Sequence, residues 1–178
     1  MEHEFMSRWG CGPFDNDTAA DFVGDLDDAP ESERVGMIHD ALVAVGSRDR
    51  YVDGDRAQVA LAAAALVARD LPGGAEFQSR HYGPVNRIPP VPESLIPLAA
   101  EVVDCLLNGE NDVKVDWIRS GEPDKWFAVT RRLRAVLAAR SSGALPLCIR
   151  ATRSEGWALV GLGVDRSGQV AQGGGGVA

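Results

Sequence analysis

Between Ala19 and about Arg140, apolar residues recur three and four positions apart, the spacing at which side chains share one face of an α-helix. A chain patterned this way has to bury one stripe of each helix against another helix, so the fold expected is all-α. Ala19, Phe22, Val23 and Leu26 predict a first helix that stops near Ala29, ahead of Pro30. Pro30 suits the first turn of a second helix, where its missing N–H costs nothing. Val35, Ile38, Leu42 and Val45 form the buried stripe of that helix, and Gly46 with "SRDR" ends it.

"DGDRAQVALAAAALVARDLPGG" reads as a third helix capped by Asp53 or Asp55, with Ala57, Leu61, Ala64, Ala65 and Ala68 as one small face that lets a neighbour approach closely. Leu71 to Gly74 break it, and about twenty residues with Pro84, Pro89 and Pro90 follow, a long loop for a compact domain. A fourth helix opens at Pro92-Glu93, keeps Pro97 in its opening turns and stops at Gly109. Its inner face is Leu95, Leu98, Ala99, Val102, Val103 and Leu106. A short helix from Asp112 to Arg119 carries Trp117, and a sixth begins near Pro123 with Trp126, Val129, Thr130, Leu133 and Leu137 facing the core.

Past Arg140 the pattern gives way to short apolar runs between Gly and Ser. One hairpin, "LCIRATR" against "ALVGLGV", is available there but is marginal unless it packs on something. The expected architecture is therefore a compact bundle of five or six helices over residues 6–140. A Gly-rich, poorly ordered tail is expected over 141–178.

Composition narrows the class. With 45% hydrophobic residues in a chain of 178, a real core can be buried. The longest apolar run, "VALAAAALVA" at 59–68, falls well short of the roughly eighteen residues a spanning helix needs, so a soluble protein without a membrane partner is expected. "MEHEFMSRW" has neither a basic n-region nor an apolar h-region, which points to the cytoplasm. Cys11, Cys105 and Cys148 are odd in number and far apart, so they supply no disulfide framework and no C-x-x-C pair. The net charge of −8 argues against a sequence-independent nucleic-acid binder, whose affinity would come from Lys and Arg on phosphates.

Six aspartates, Asp15, Asp17, Asp21, Asp25, Asp27 and Asp28, fall in the fifteen residues from Asp15 to Ala29 with no Lys or Arg among them. Asp15 or Asn16 is placed to cap the first helix, and Asp17 then sits in its first turn, where the helix dipole favours a negative charge. Asp17, Asp21, Asp25 and Asp28 run i, i+4, i+8, i+11 along the outer face, and like charges at that spacing repel by about 0.2–0.5 kcal/mol a pair. Three readings stay open: a solvated face; pairing with Lys125, Arg131, Arg132, Arg134 or Arg140 of the last helix; or a basic partner or hard cation. A rigid helix lacks the looped carbonyls of an EF-hand, so no metal site is assigned.

"QSRHYGPVNR" places Arg80, His81, Tyr82 and Arg87 in the long loop as a second candidate site, for an anion or for acid–base chemistry through His81. The plain reading is a surface loop. His39 and Asp40, adjacent on a helix, point to different faces and make no dyad by themselves. Trp126 is expected in the core, and Trp9, flanked by glycine, is expected to plug the bundle end. Neither a nucleophile elbow, a His-Glu-x-x-His run nor a phosphate loop occurs, so no cofactor is indicated and no reaction is fixed.

"MSRWGCGPFDNDTAADF" resembles the opening of a bacterial family catalogued as domain of unknown function 4259, whose members begin with a Met-x-x-Trp-Gly-x-Gly-Pro-Phe-x-Asn-Asp run. The matching residues include Trp9, Gly10, Gly12, Pro13, Phe14, Asn16 and Asp17. "NGENDVKVDWIRSGEPDKWFAVTRRLRAVL", with Trp117, Ser120, Gly121 and Trp126, resembles the end of the same domain. The resemblance implies a small, mostly helical domain starting at Met6, with "MEHEF" as an upstream extension, and implies no activity. The expected function is a cytoplasmic interaction module that binds another protein through charged helix faces. The alternative is an enzyme of unrecognised type using the His81 loop or the Asp17 and Asp21 carboxylates, with a divalent ion as an option.

Overall fold

The computed structural model describes residues 8–45, 51–79 and 81–141. Six α-helices make up most of it: α1 (Asp17–Asp28), α2 (Glu31–Val43), α3 (Gly54–Ala68), α4 (Leu95–Asn108), α5 (Asp112–Arg119) and α6 (Pro123–Ser141). A 3₁₀ turn, Gly74–Phe77, follows α3, and two-residue strands β1 (Tyr51–Val52) and β2 (Glu110–Asn111) pair in parallel, Tyr51 opposite Glu110. The expectation of an all-α bundle holds. The expected hairpin and Gly-rich tail lie outside the described residues. No helix among the described residues is long and apolar enough to cross a membrane.

Helix α3 is the centre. From Ala57 to Ala68 every residue except Val59 is buried, and α1, α2, α4, α5, α6 and the 3₁₀ turn all pack on it. The small face expected at Ala57, Leu61, Ala64, Ala65 and Ala68 is buried, and the other faces of the helix are covered as well, as befits a helix that is apolar all round. Alanines at 57, 60, 62, 63, 64, 65 and 68 keep its girth small enough for several neighbours to reach it at once. The Asp53 side chain caps it by accepting the Arg56 N–H at 3.0 Å. Asp112 of α5 holds the same end, accepting the Gly54 N–H at 3.1 Å and the Tyr51 hydroxyl. The Asp112 carboxylate raises the pKa of that hydroxyl above its ordinary value.

The outer helices follow their stripes, except that Val35, Leu98 and Val129 lie at the margins of the core and are only half-buried. Ile38 and Leu42 of α2, with Val45 beyond it, and Trp126, Thr130, Leu133 and Leu137 of α6 are buried as spaced. Helix α4 starts at Leu95 rather than Pro92. Pro92 and Glu93 instead form the preceding turn, their carbonyls accepting from the Leu95 and Ile96 N–H groups. Its far end is closed by buried Asn111, whose side chain donates to the Leu106 carbonyl at 2.8 Å and accepts the Lys114 N–H at 2.9 Å.

The long connection between α3 and α4 is pinned by three side chains. Asp27 accepts the Val85 and Asn86 N–H groups at 2.9 and 2.8 Å. The Arg69 guanidinium donates to the Ile88 carbonyl at 3.0 Å. Buried Arg34 donates to the carbonyls of Ala29 (2.9 Å), Asp27 (3.3 Å) and Arg87, so one cation closes the C-terminus of α1 and ties the loop to it. A cation there also offsets the unfavourable placing of Asp25, Asp27 and Asp28 at the negative end of the helix dipole.

Two substitutions test this architecture by urea denaturation. Ala64→Leu overfills the centre and is expected to cost about 1–3 kcal/mol. Arg34→Met leaves the part-buried carbonyls of Asp27, Ala29 and Arg87 without this donor and is expected to cost about 1–3 kcal/mol. A loss below about 0.5 kcal/mol in both would contradict the packing described.

Candidate functional site

Residues 8–16 form a tight turn that delivers the chain into α1. The Asn16 side chain caps the helix, accepting the Ala19 N–H at 2.8 Å, and its backbone bridges Arg8 in antiparallel fashion. Asp15 is not the cap. Its carboxylate turns back under the glycines and accepts the Gly12 N–H at 2.9 Å, while its carbonyl accepts the Trp9 N–H at 3.1 Å. A Cβ on Gly10 would lie 2.3 Å from that carboxylate, and one on Gly12 would lie 2.7 Å from it. A side chain at either place would force the Asp15 carboxylate out of the position it holds. Phe14 is buried beside them.

The acidic row stands outward. Asp17, Asp21, Asp25 and Asp28 are all exposed, and among the described residues none has an ion-pair partner. The basic side chains of α6 are engaged elsewhere: Arg134 with Asp104 at 2.6 Å, Arg140 with Glu93 at 3.5 Å, Arg132 with Glu76 at 3.6 Å and Lys125 with Glu122 at 2.7 Å. Arg131 lies 5.1 Å over the Phe127 ring. Pairing of the row with α6 is therefore not what forms. Helix α1 packs chiefly on α3, and α6 chiefly on α4, which supplies Asp104.

Helix geometry puts Thr18 and Asp27 on opposite flanks of this face, roughly 180° apart at 100° per residue. The Thr18 hydroxyl donates to Asp55 at 3.1 Å on one side, and Asp27 holds residues 85–86 on the other. Along that second flank run exposed apolar groups. Tyr82 lies against Trp9, ring centroids 4.8 Å apart and planes tilted by 46°, and Val85 projects into solvent. Trp9 therefore does not plug the bundle: it is 46% exposed, whereas Trp117 and Trp126 are 8% and 3% exposed. Glycines on its carboxyl side let the chain turn away and leave the ring on the outside.

Of the loop candidates, Arg80 lies outside the described residues. His81 is exposed, its ring edge-on to Tyr82 at 6.3 Å, and among the described residues its imidazole has no hydrogen-bonded carboxylate. Arg87 is exposed and reaches Glu31 at 3.6 Å. The structure thus brings Tyr82 to the margin of α1 but assembles no joint site from His81 and Arg87. His39 does meet Asp40, Nδ1 to Oδ1 at 3.0 Å, because both side chains are exposed and curl toward each other. Among the described residues no group of three or more His, Cys, Asp or Glu is placed to hold a metal ion. An open groove of about 280 Å³ lies beside the turn, lined by Cys11, Pro13, Glu76, Gln78, Ser79 and Arg132.

What the fold and this turn define is a small helical domain whose entry turn is locked by a carboxylate under two glycines. Residues 7–129 match the family described as Domain of unknown function (DUF4259), and the chain belongs to it. No curated protein and no solved structure matches the chain.

The lock predicts a coupling. Gly10→Ala alone is expected to destabilise the fold, and Asp15→Ala is expected to remove most of that extra cost when both are changed. A double-mutant cycle in urea would then give a coupling above about 0.5 kcal/mol. Additivity of the two changes would contradict the geometry.

Proposed function

We propose that this protein is a cytoplasmic interaction module that docks a partner protein on the outer face of α1. The observation that carries this reading is the row Asp17, Asp21, Asp25 and Asp28: four exposed carboxylates that repel one another while Lys125, Arg132, Arg134 and Arg140 of α6 are paired with other acids and Arg131 lies over Phe127. Repulsion within the row costs the free protein stability, Arg34 offsets part of it at the C-terminal end of α1, and the carboxylates have no ion-pair partner among the described residues, so the benefit of the row falls to a complex. Electrostatic complementarity gives such a face its selectivity and its on-rate, with a strong salt dependence. The thiol of Cys11, free among the described residues, suits a reducing compartment.

Neutralising the row by Asp21→Asn, Asp25→Asn and Asp28→Asn is expected to raise stability in urea by up to about 1 kcal/mol, since the like-charge pairs are removed. The same protein is expected to lose the partner that the unaltered protein retains at low salt. A partner held equally by both would count against α1 as the docking face.

A further inference from the structure

Resting on that reading, we infer that Trp9 and Tyr82 seat a guanidinium or ammonium group of the partner, so that the segment bound along α1 is basic and places one cation on this aromatic pair. Large aromatic rings usually gain their stabilisation by leaving water. These two are 46% and 41% exposed, lie 4.8 Å apart and are tilted 46° to each other, so faces remain open to solvent. Polar bonds hold the main chain beside them: the Trp9 backbone N–H donates to the Asp15 carbonyl next to the Arg8–Asn16 bridge, and the Tyr82 backbone N–H donates to the Ser79 hydroxyl at 2.9 Å. A ligand therefore meets two segments whose backbone is already fixed, which lowers the ordering cost of binding.

The electron-rich faces of Trp and Tyr attract cations. This protein uses that contact twice within itself, with the Arg8 guanidinium 4.1 Å over Trp117 and Arg131 over Phe127. Among the described residues no cation stands over Trp9 or Tyr82. The pair also lies where the acidic row begins: Arg8, next to Trp9, bridges Asn16, and Asp17 follows as the first residue of α1. From there the row continues about 16 Å to Asp28 at 1.5 Å per residue. Asp17 offsets the partial positive charge of the helix N-terminus, so a cation is not repelled there. Val85, 92% exposed, extends the apolar margin for the stems of long basic side chains. Charge complementarity thus selects a basic peptide segment, and the same carboxylates repel nucleic acid.

The test uses the full chain with a ten-residue peptide of alternating arginine and serine, and with its citrulline counterpart, which keeps the shape and removes the charge. Binding is followed by calorimetry and by amide and indole NMR at low salt. The arginine peptide is expected to bind, the citrulline peptide is not, and the indole signal missing from Trp9→Leu is expected to move. Trp9→Leu and Tyr82→Leu, which keep apolar bulk without a π-face, are each expected to weaken binding about three- to tenfold with an unchanged unfolding midpoint. Binding that both leucine variants retain, but that is lost with Asp21→Asn, Asp25→Asn and Asp28→Asn, overturns the seat and leaves the docking face standing. Absence of binding to the unaltered protein overturns both. A Trp9 signal that moves with protein concentration alone also overturns the proposal, since a second copy would then be the occupant.

Discussion

Burial of α3 on every side is the constraint from which the other features follow. A helix whose buried stretch is rich in alanine has little side-chain volume, so its neighbours approach closely and each turns its own apolar stripe to the same centre. The charged faces are then all turned outward, and which charges meet is decided by which outer helices adjoin. Helices α4 and α6 adjoin, and Arg134 finds Asp104. Helix α1 has α3 as its chief neighbour and presents its carboxylates to solvent. The separation of acid from base is thus a consequence of packing order rather than of composition.

The entry turn shows how a short motif can serve the fold alone. Gly10 and Gly12 make room for the Asp15 carboxylate, Asn16 caps α1 and Phe14 is buried, so each of these residues has a structural task. Trp9 and the row Asp17, Asp21, Asp25 and Asp28 have no such task. They are the parts of the same stretch that the free protein leaves in water, and for that reason they carry the functional reading.

Much of the fold was legible in the sequence because helical spacing is a local signal. The stripes of α1 and α6 and the bounds of α5 follow from periodicity, prolines and caps, whereas the start of α4 moved by a turn because Pro92 and Glu93 stay outside the helix. Contacts between distant segments were less legible. Arg34 sits four residues before Ile38, on the same buried stripe as Leu42, so its inward position had a periodic signal that a charged side chain obscured. Asp27 lies off the i, i+4 row, and nothing local announces that it holds residues 85 and 86. Pairing of α1 with α6 looked plausible because opposite charge has no address in a sequence, and only packing supplies one.

Double-mutant cycles between the α1 aspartates and the α6 arginines measure whether the acidic row is answered within the chain, with Asp104 and Arg134 as the internal standard. A coupling of about 0.5–1 kcal/mol is expected for Asp104 with Arg134 and none for Asp25 with Arg131 or Arg134. A coupling of similar size between α1 and α6 would mean that the acidic row is answered within the chain, and would contradict its availability to a partner.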